Sequence, residues 1–285
     1  MPHHVASIGG RNTVKSVNQP SPQRKWSKFD TLWMLNLFGT AIGAGILFLP
    51  ITAGRAGLWP LVFITALVGP MTYLAHRGLT RFVLASAHPE SDITEVAEEF
   101  FGRKAGIAIT LLYFLAIYPI VLIYGVSLTN TVESFMVYQL GMDTPPRVLL
   151  SGICVGAYVL IILLGEKIVL AFNEKLTYPL CAILLGLSFY LIPHWNLAAF
   201  RYVPDASEMI ATLWMALPVL VFAFNHSPAI STFAVSQRTE YGNDAEKHAE
   251  NTLCATAGVL VAFVMFFVFS CALCLTPEDL ARAEA

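Results

Sequence analysis

Beyond residue 30 the chain runs as long apolar stretches broken by short polar or turn-rich segments. Seven stretches, 31–57, 60–86, 106–138, 148–165, 168–193, 209–236 and 251–275, approach or exceed the length of a spanning helix. A hydrocarbon layer about 30 Å thick needs about 20 apolar residues per helix. The pattern therefore predicts a bundle of transmembrane helices over 31–275. Only Glu166 and Lys167 separate the fourth stretch from the fifth. Within 87–105, Ser91 or Asp92 is placed to cap a short helix with acidic residues in its first turn. Ile93, Val96, Ala97 and Phe100 would share one face of it, as in an interfacial helix. Residues 194–208, with Pro204, read as an outer loop, and 276–285 as an outer-side loop at which the chain stops short. Residues 1–30 are polar and lack the apolar run of a signal peptide, so they read as a disordered cytoplasmic tail.

Composition supports the same class. Hydrophobic residues make up 56% of the 285 and charged residues 13%, against about 25% charged in an ordinary soluble domain. The formal net charge of -2 leaves no basic face for nucleic acid. The five cysteines, Cys154, Cys181, Cys254, Cys271 and Cys274, all lie in apolar stretches and read as packing residues. Cys271 and Cys274 have the spacing of a redox or metal pair, but no histidine or second cysteine pair accompanies them. No metal and no cofactor are expected. With the N-terminus inside, 13 of the 17 basic residues fall on the inner side. That excess predicts a cytoplasmic N-terminus and, after seven spans, an outer C-terminus.

Two stretches carry candidate chemistry. The first contains Gly39, Gly43 and Gly45, followed by Pro50. Glycine weakens a helix by about 1 kcal/mol relative to alanine. The cluster fits either an unwound turn whose bare backbone groups hold a zwitterion, or a close helix crossing through Gly39 and Gly43. The sixth stretch reads Phe222-Ala223-Phe224-Asn225-His226-Ser227-Pro228 in mid-span. Pro228 cannot bond back into the helix, and polar groups at membrane depth normally face a cavity. Breaks in the first and sixth helices fit an inverted repeat with the substrate between them. Tyr113, Tyr118 and Tyr124 on the third stretch are further candidates, Tyr118 as a substrate contact. His226, Glu133 and Lys175 are candidate proton carriers. Ser227 and His226 do not form a hydrolytic pair. Adjacent helical positions diverge by about 100°, and the chain has no Gly-x-Ser-x-Gly or paired metal-binding histidines. It is not read as an enzyme, and no catalytic residue is assigned.

Several strings resemble a known family. They are Trp33-Met34-Leu35 through Gly39-Thr40-Ala41-Ile42-Gly43-Ala44-Gly45 to Leu47-Phe48-Leu49-Pro50, His76-Arg77-Gly78-Leu79-Thr80-Arg81, Asp92-Ile93-Thr94-Glu95-Val96, Leu111-Leu112-Tyr113-Phe114, Thr129-Asn130-Thr131-Val132-Glu133-Ser134-Phe135, Phe224-Asn225-His226-Ser227-Pro228 and Phe266-Phe267-Val268-Phe269-Ser270-Cys271. Together they resemble the hydroxy/aromatic amino acid permeases of the amino acid–polyamine–organocation superfamily, in particular the bacterial serine or serine/threonine branch. The resemblance implies an all-α, leucine-transporter-like inverted-repeat bundle in the bacterial inner membrane. It implies uptake of a small amino acid, L-serine or threonine, with a proton rather than sodium as the coupling ion. The substrate's carboxylate and ammonium would meet Thr40, Ala41, Ile42, Gly43, Ala44 and Gly45, together with Phe222, Asn225, His226 and Ser227. Asn225 or Ser227 would pair the serine hydroxyl. The family has eleven spans, so this chain is expected to be a truncated front part of about seven; the alternatives to a serine transporter are a non-transporting fragment that needs the missing helices, or a transporter of another small or aromatic amino acid.

Overall fold

The computed structural model describes residues 26–43, 45–54, 58–164, 166–201 and 203–274. The expected tail therefore lies outside the described residues up to position 25, as does the expected loop at 276–285. No strand occurs among the described residues.

The helices are α1 Lys28–Ala41, α2 Gly45–Gly54, α3 Leu58–Leu84, α4 Ile93–Ser134, α5 Arg147–Leu163, α6 Glu166–Leu191, α7 Ala206–Ala223, α8 Ile230–Tyr241 and α9 Ala245–Ala272. Local signals explain several of their ends. The Ser27 side chain accepts from Asp30 N–H while the Asp30 carboxylate accepts from Ser27 N–H, a reciprocal cap that starts α1 at Lys28 rather than at 31. Asp30 is thus helical and buried, not part of a tail. Asp92, not Ser91, caps α4, accepting from the amides of Thr94 and Glu95. Burial works to raise the Asp92 carboxyl, but the hydrogen bonds from Glu95 and Thr94 outweigh it and hold the group below the usual carboxylate range. Asp205 caps α7 in the same way, accepting from Glu208 N–H at 2.8 Å. α4 ends in a π-helical turn, Phe135–Gln139.

Gly102 interrupts α4 with φ 78° and ψ 166°, so residues 93–101 form a short helix set off from the long one. Its Ile93, Val96 and Ala97 are buried, whereas Phe100 is exposed. A Cβ at Gly102 would meet nothing within 4 Å, so backbone conformation alone reserves the position for glycine. Gly102→Ala is expected to weaken the 93–101 helix by about 1–3 kcal/mol. The readout is faster amide exchange confined to those residues; unchanged exchange would mean the bend accepts a side chain.

α9 is the axis of the bundle and packs against α1, α3, α6 and α8. Its Leu253, Leu260, Val264 and Val268 are buried. Ala249, Thr252, Thr256 and Ala257 keep the approach close, as small residues do between helices that gain nothing from leaving lipid. By contrast α4, α5 and α6 leave most of their large apolar side chains uncovered, including Leu111, Leu112, Phe114, Val148, Leu160 and Ile183. A surface like that belongs in hydrocarbon. Among the described residues, four helical stretches are long and apolar enough to cross a membrane: Leu58–Leu84, Ile93–Gln139, Lys175–His194 and Ala206–Ala272. The last of these includes the interruption between α7 and α8. The chain is an all-α, multi-pass membrane protein.

Polar side chains tie the bundle together at one end. Arg77 pairs with Glu250 at 2.8 Å, and Arg81 bridges Glu246 and Glu250, joining α3 to α9. Arg238 on α8 donates to the carbonyls of Leu84 and Ser86. Ser231 accepts from Ile93 N–H, which docks the 93–101 helix onto α8.

Candidate functional site

Two helices break at facing points. α1 ends at Ala41. Ile42 is extended (φ -70°, ψ 108°), its N–H closing the last turn onto Phe38 O at 3.0 Å. Gly43 bends the chain, and α2 starts at Gly45 with Ile46 N–H donating back to Gly43 O at 3.2 Å. α7 ends at Ala223. Phe224 and His226 leave the helical region (φ -108°, ψ 7° and φ -127°, ψ 22°), and a short 3₁₀ turn, Ser227–Ala229, leads into α8. Asn225 shapes this second break by accepting Ser227 N–H on Oδ1 at 3.0 Å. Pro228 has no N–H to offer the helix before it.

The glycines of the first break face different neighbours. A Cβ on Gly39 would lie 3.5 Å from the Thr177 side chain of α6. On Gly43 it would lie 3.4 Å from the Tyr124 hydroxyl of α4. On Gly45 it would lie 2.5 Å from Phe222 Cδ1 and 3.1 Å from Ala223 Cα, both on α7. Gly39 and Gly43 therefore do not form the seam of a single crossing. Of these three, only Gly45 sits where a side chain has no room, and it presses the start of α2 onto the end of α7.

Except for Ala44, the expected site residues lie among the described residues. Ala41, Ile42, Gly45 and His226 are buried, while Gly43, Phe222, Asn225 and Ser227 are half-buried. Ala44 lies outside the described residues. Thr40 is exposed and donates to Asn36 O at 2.9 Å. With Asn36 and Gly39 it lines a cleft of 470 Å³ closed by Thr177, Tyr178 and Cys181 of α6 and Phe263 of α9. Tyr118 stacks on Phe114 of its own helix and is 50% exposed. The α4 tyrosine that reaches both breaks is Tyr124, beside Gly43 and with its ring 6.0 Å from Phe222. Glu133 pairs with Arg147 at 3.4 Å near the end of α4. Lys175 is exposed on α6. Among the described residues, neither makes a hydrogen bond or ion pair to either break.

His226 has a partner the sequence reading gave no role. His76 of α3 lies flat against it, with centroids 3.5 Å apart and planes 11° apart. His226 N–H donates to His76 Nε2 at 3.1 Å. Along the sequence His76 stands within a family-like string, and a histidine inside an apolar span is itself a signal.

Residues 33–276 match the tryptophan/tyrosine permease family. The chain belongs to that family. It is 53% identical over 265 residues to Serine transporter SdaC of Escherichia coli (strain K12), and to the protein of the same name in Escherichia coli O157:H7. It is 52% identical to Serine transporter SdaC of Shigella flexneri. Each match covers 91% of this chain and 62% of the relative, so this permease chain spans less than two thirds of the length of those proteins. No solved structure matches it. The family's description and the relatives' names are those of permeases and transporters, not of enzymes.

Proposed function

We propose that the protein to which this chain belongs takes up L-serine across the bacterial inner membrane, driven by proton symport, with its N-terminus in the cytoplasm. The observation that carries the reading is the pair of facing helix breaks, and the serine transporters among its relatives give it a substrate. α1 and α7 both end at the breaks, bringing the negative ends of their dipoles there. α2 begins there and offers N–H groups with positive potential. A zwitterion fits this arrangement, its ammonium toward the carbonyls of α1 and α7 and its carboxylate toward the start of α2.

Asn225 Oδ1 is already occupied by Ser227 N–H, so the serine hydroxyl is left to the Asn225 amide or the Ser227 hydroxyl. Discrimination against alanine then comes from leaving that group unpaired. Tyr124, between Gly43 and Phe222, is the aromatic side chain nearest both breaks and a further candidate contact beside Tyr118.

Proteoliposomes carrying the protein are expected to accumulate labelled L-serine when the outside is made acidic. With one proton per serine, a gradient of one pH unit sustains about tenfold accumulation. Uptake indifferent to the pH gradient but dependent on sodium would overturn the coupling ion. The family's description favours a second reading, an aromatic substrate. Unlabelled tryptophan or tyrosine that suppresses uptake better than serine would select it.

A further inference from the structure

We infer that His76 is the positioning residue of the second break and that it forms a proton site with His226, arranged so that a proton on His76 and an anchored break exclude each other. The inference rests on the proton-symport reading above and gives it residues.

The hydrogen bonds define the state of the ring. His76 Nδ1 lies 2.7 Å from the Thr72 carbonyl, which can only accept, so Nδ1 carries a hydrogen. His76 Nε2 lies 3.1 Å from the backbone nitrogen of His226, which can only donate, so Nε2 uses its lone pair. One neutral tautomer satisfies both contacts, and the Asn225 side chain lies within hydrogen-bonding reach of the same ring. The two rings are buried, at 6% and 1% exposure. Neither His226 ring nitrogen makes a hydrogen bond of normal geometry among the described residues; the Phe224 backbone is near the ring. Two stacked imidazolium rings would repel, so the pair takes at most one proton. The other ionisable groups beside His76 on α3 are Tyr73 and Arg77. Arg77 lies over the Tyr73 ring and is tied to Glu250 of α9.

A proton arriving at His76 Nε2 forms its N–H bond with the lone pair that now accepts from His226. The ring then donates at both nitrogens, two N–H groups face each other, and the His226 backbone has to move away. Anchored and released breaks therefore differ by one proton. Asn225 and Ser227 flank the anchored amide, so any substrate held there is linked to the same proton.

The test follows the chain, labelled with ¹⁵N-histidine in lipid nanodiscs, from acid to mildly alkaline pH by NMR. Protonation of the His76 ring and loss of the hydrogen-bonded shift of the His226 amide are expected to share one midpoint. In His76→Gln the side-chain oxygen can accept the amide but cannot titrate, so that shift should persist at every pH. In His76→Leu it should be absent at every pH. A His226 amide that stays put while His76 titrates overturns the inference, as does a His76 ring that never titrates. In proteoliposomes, the ratio of serine uptake with and without a pH gradient should fall to about one in His76→Gln. If wild type and His76→Gln respond equally to the gradient, the role of His76 falls and symport stands. If wild type ignores the gradient, symport falls, and the wild-type NMR titration still decides the His76–His226 linkage.

Discussion

Gly45→Ala is expected to abolish serine binding and to lower the thermal unfolding midpoint, whereas Gly39→Ala and Gly43→Ala leave both nearly unchanged. The three glycines differ in what an added methyl meets. At Gly39 and Gly43 the nearest atoms lie at 3.5 and 3.4 Å, ordinary contact distances. Replacing glycine inside α1, at position 39, also gains about 1 kcal/mol of helix propensity. At Gly45 the methyl would lie 2.5 Å from the Phe222 ring and 3.1 Å from the Ala223 backbone. The ring can turn, but the backbone of α7 cannot yield without moving the second break. Overpacking of this kind costs about 1–3 kcal/mol, more than the propensity gain. Because the clash lies between the two breaks, it separates the groups meant to hold the two ends of one zwitterion. Calorimetry of serine binding alongside a melting curve checks it. A Gly45→Ala protein that binds like wild type would move the substrate away from this junction.

The second large effect is at the other polar centre. Asp30→Ala is expected to lower stability by about 3 kcal/mol, with Asp30→Asn intermediate. Asp30 is 1% exposed. Its carboxylate accepts from Ser27 N–H at 2.8 Å and from the Tyr241 hydroxyl at 2.9 Å, and His248 Nδ1 lies 3.6 Å away. The Tyr241 hydroxyl also meets Ser27 Oγ at 2.7 Å, and the Tyr241 ring stacks on His248 at 3.9 Å. One carboxylate thereby fastens the start of α1 to the end of α8 and the start of α9. Bonds to a buried charge are worth more than neutral ones, and their loss strands the remaining partners. Combining Asp30→Ala with Tyr241→Phe should cost less than the two changes added, since they remove the same bond. Strict additivity in the melting midpoints would mean that Asp30 does not act through Tyr241.

Membrane class and both interrupted helices were legible in the chain because they rest on local quantities. Twenty consecutive apolar residues declare a span wherever they occur. Glycine at 43 and 45 and proline at 228 weaken a helix whatever surrounds them. The capped start of α1 was equally local, since Ser27 and Asp30 have the spacing of a reciprocal cap, yet the tail reading passed over it.

Which side chains meet was not legible, because helices in lipid associate through packing and hydrogen bonds that no periodic pattern encodes. Tyr118 and Tyr124 look alike along the sequence, and the rotation of α4 brings Tyr124 to the breaks while Tyr118 stacks on Phe114. Glu133 is a candidate proton carrier along the sequence, and its pairing with Arg147, 14 residues on, shows only in the fold. His76 and His226 are 150 positions apart, and only the packing of α3 against the second break joins them. A helical membrane protein broken at two glycine- and proline-marked points follows from the chain alone, since helix formation and lipid solubility are properties of short windows. That the breaks face each other across Gly45, and that one is anchored to a histidine, follows from the fold, since both depend on the crossing geometry of helices distant along the chain.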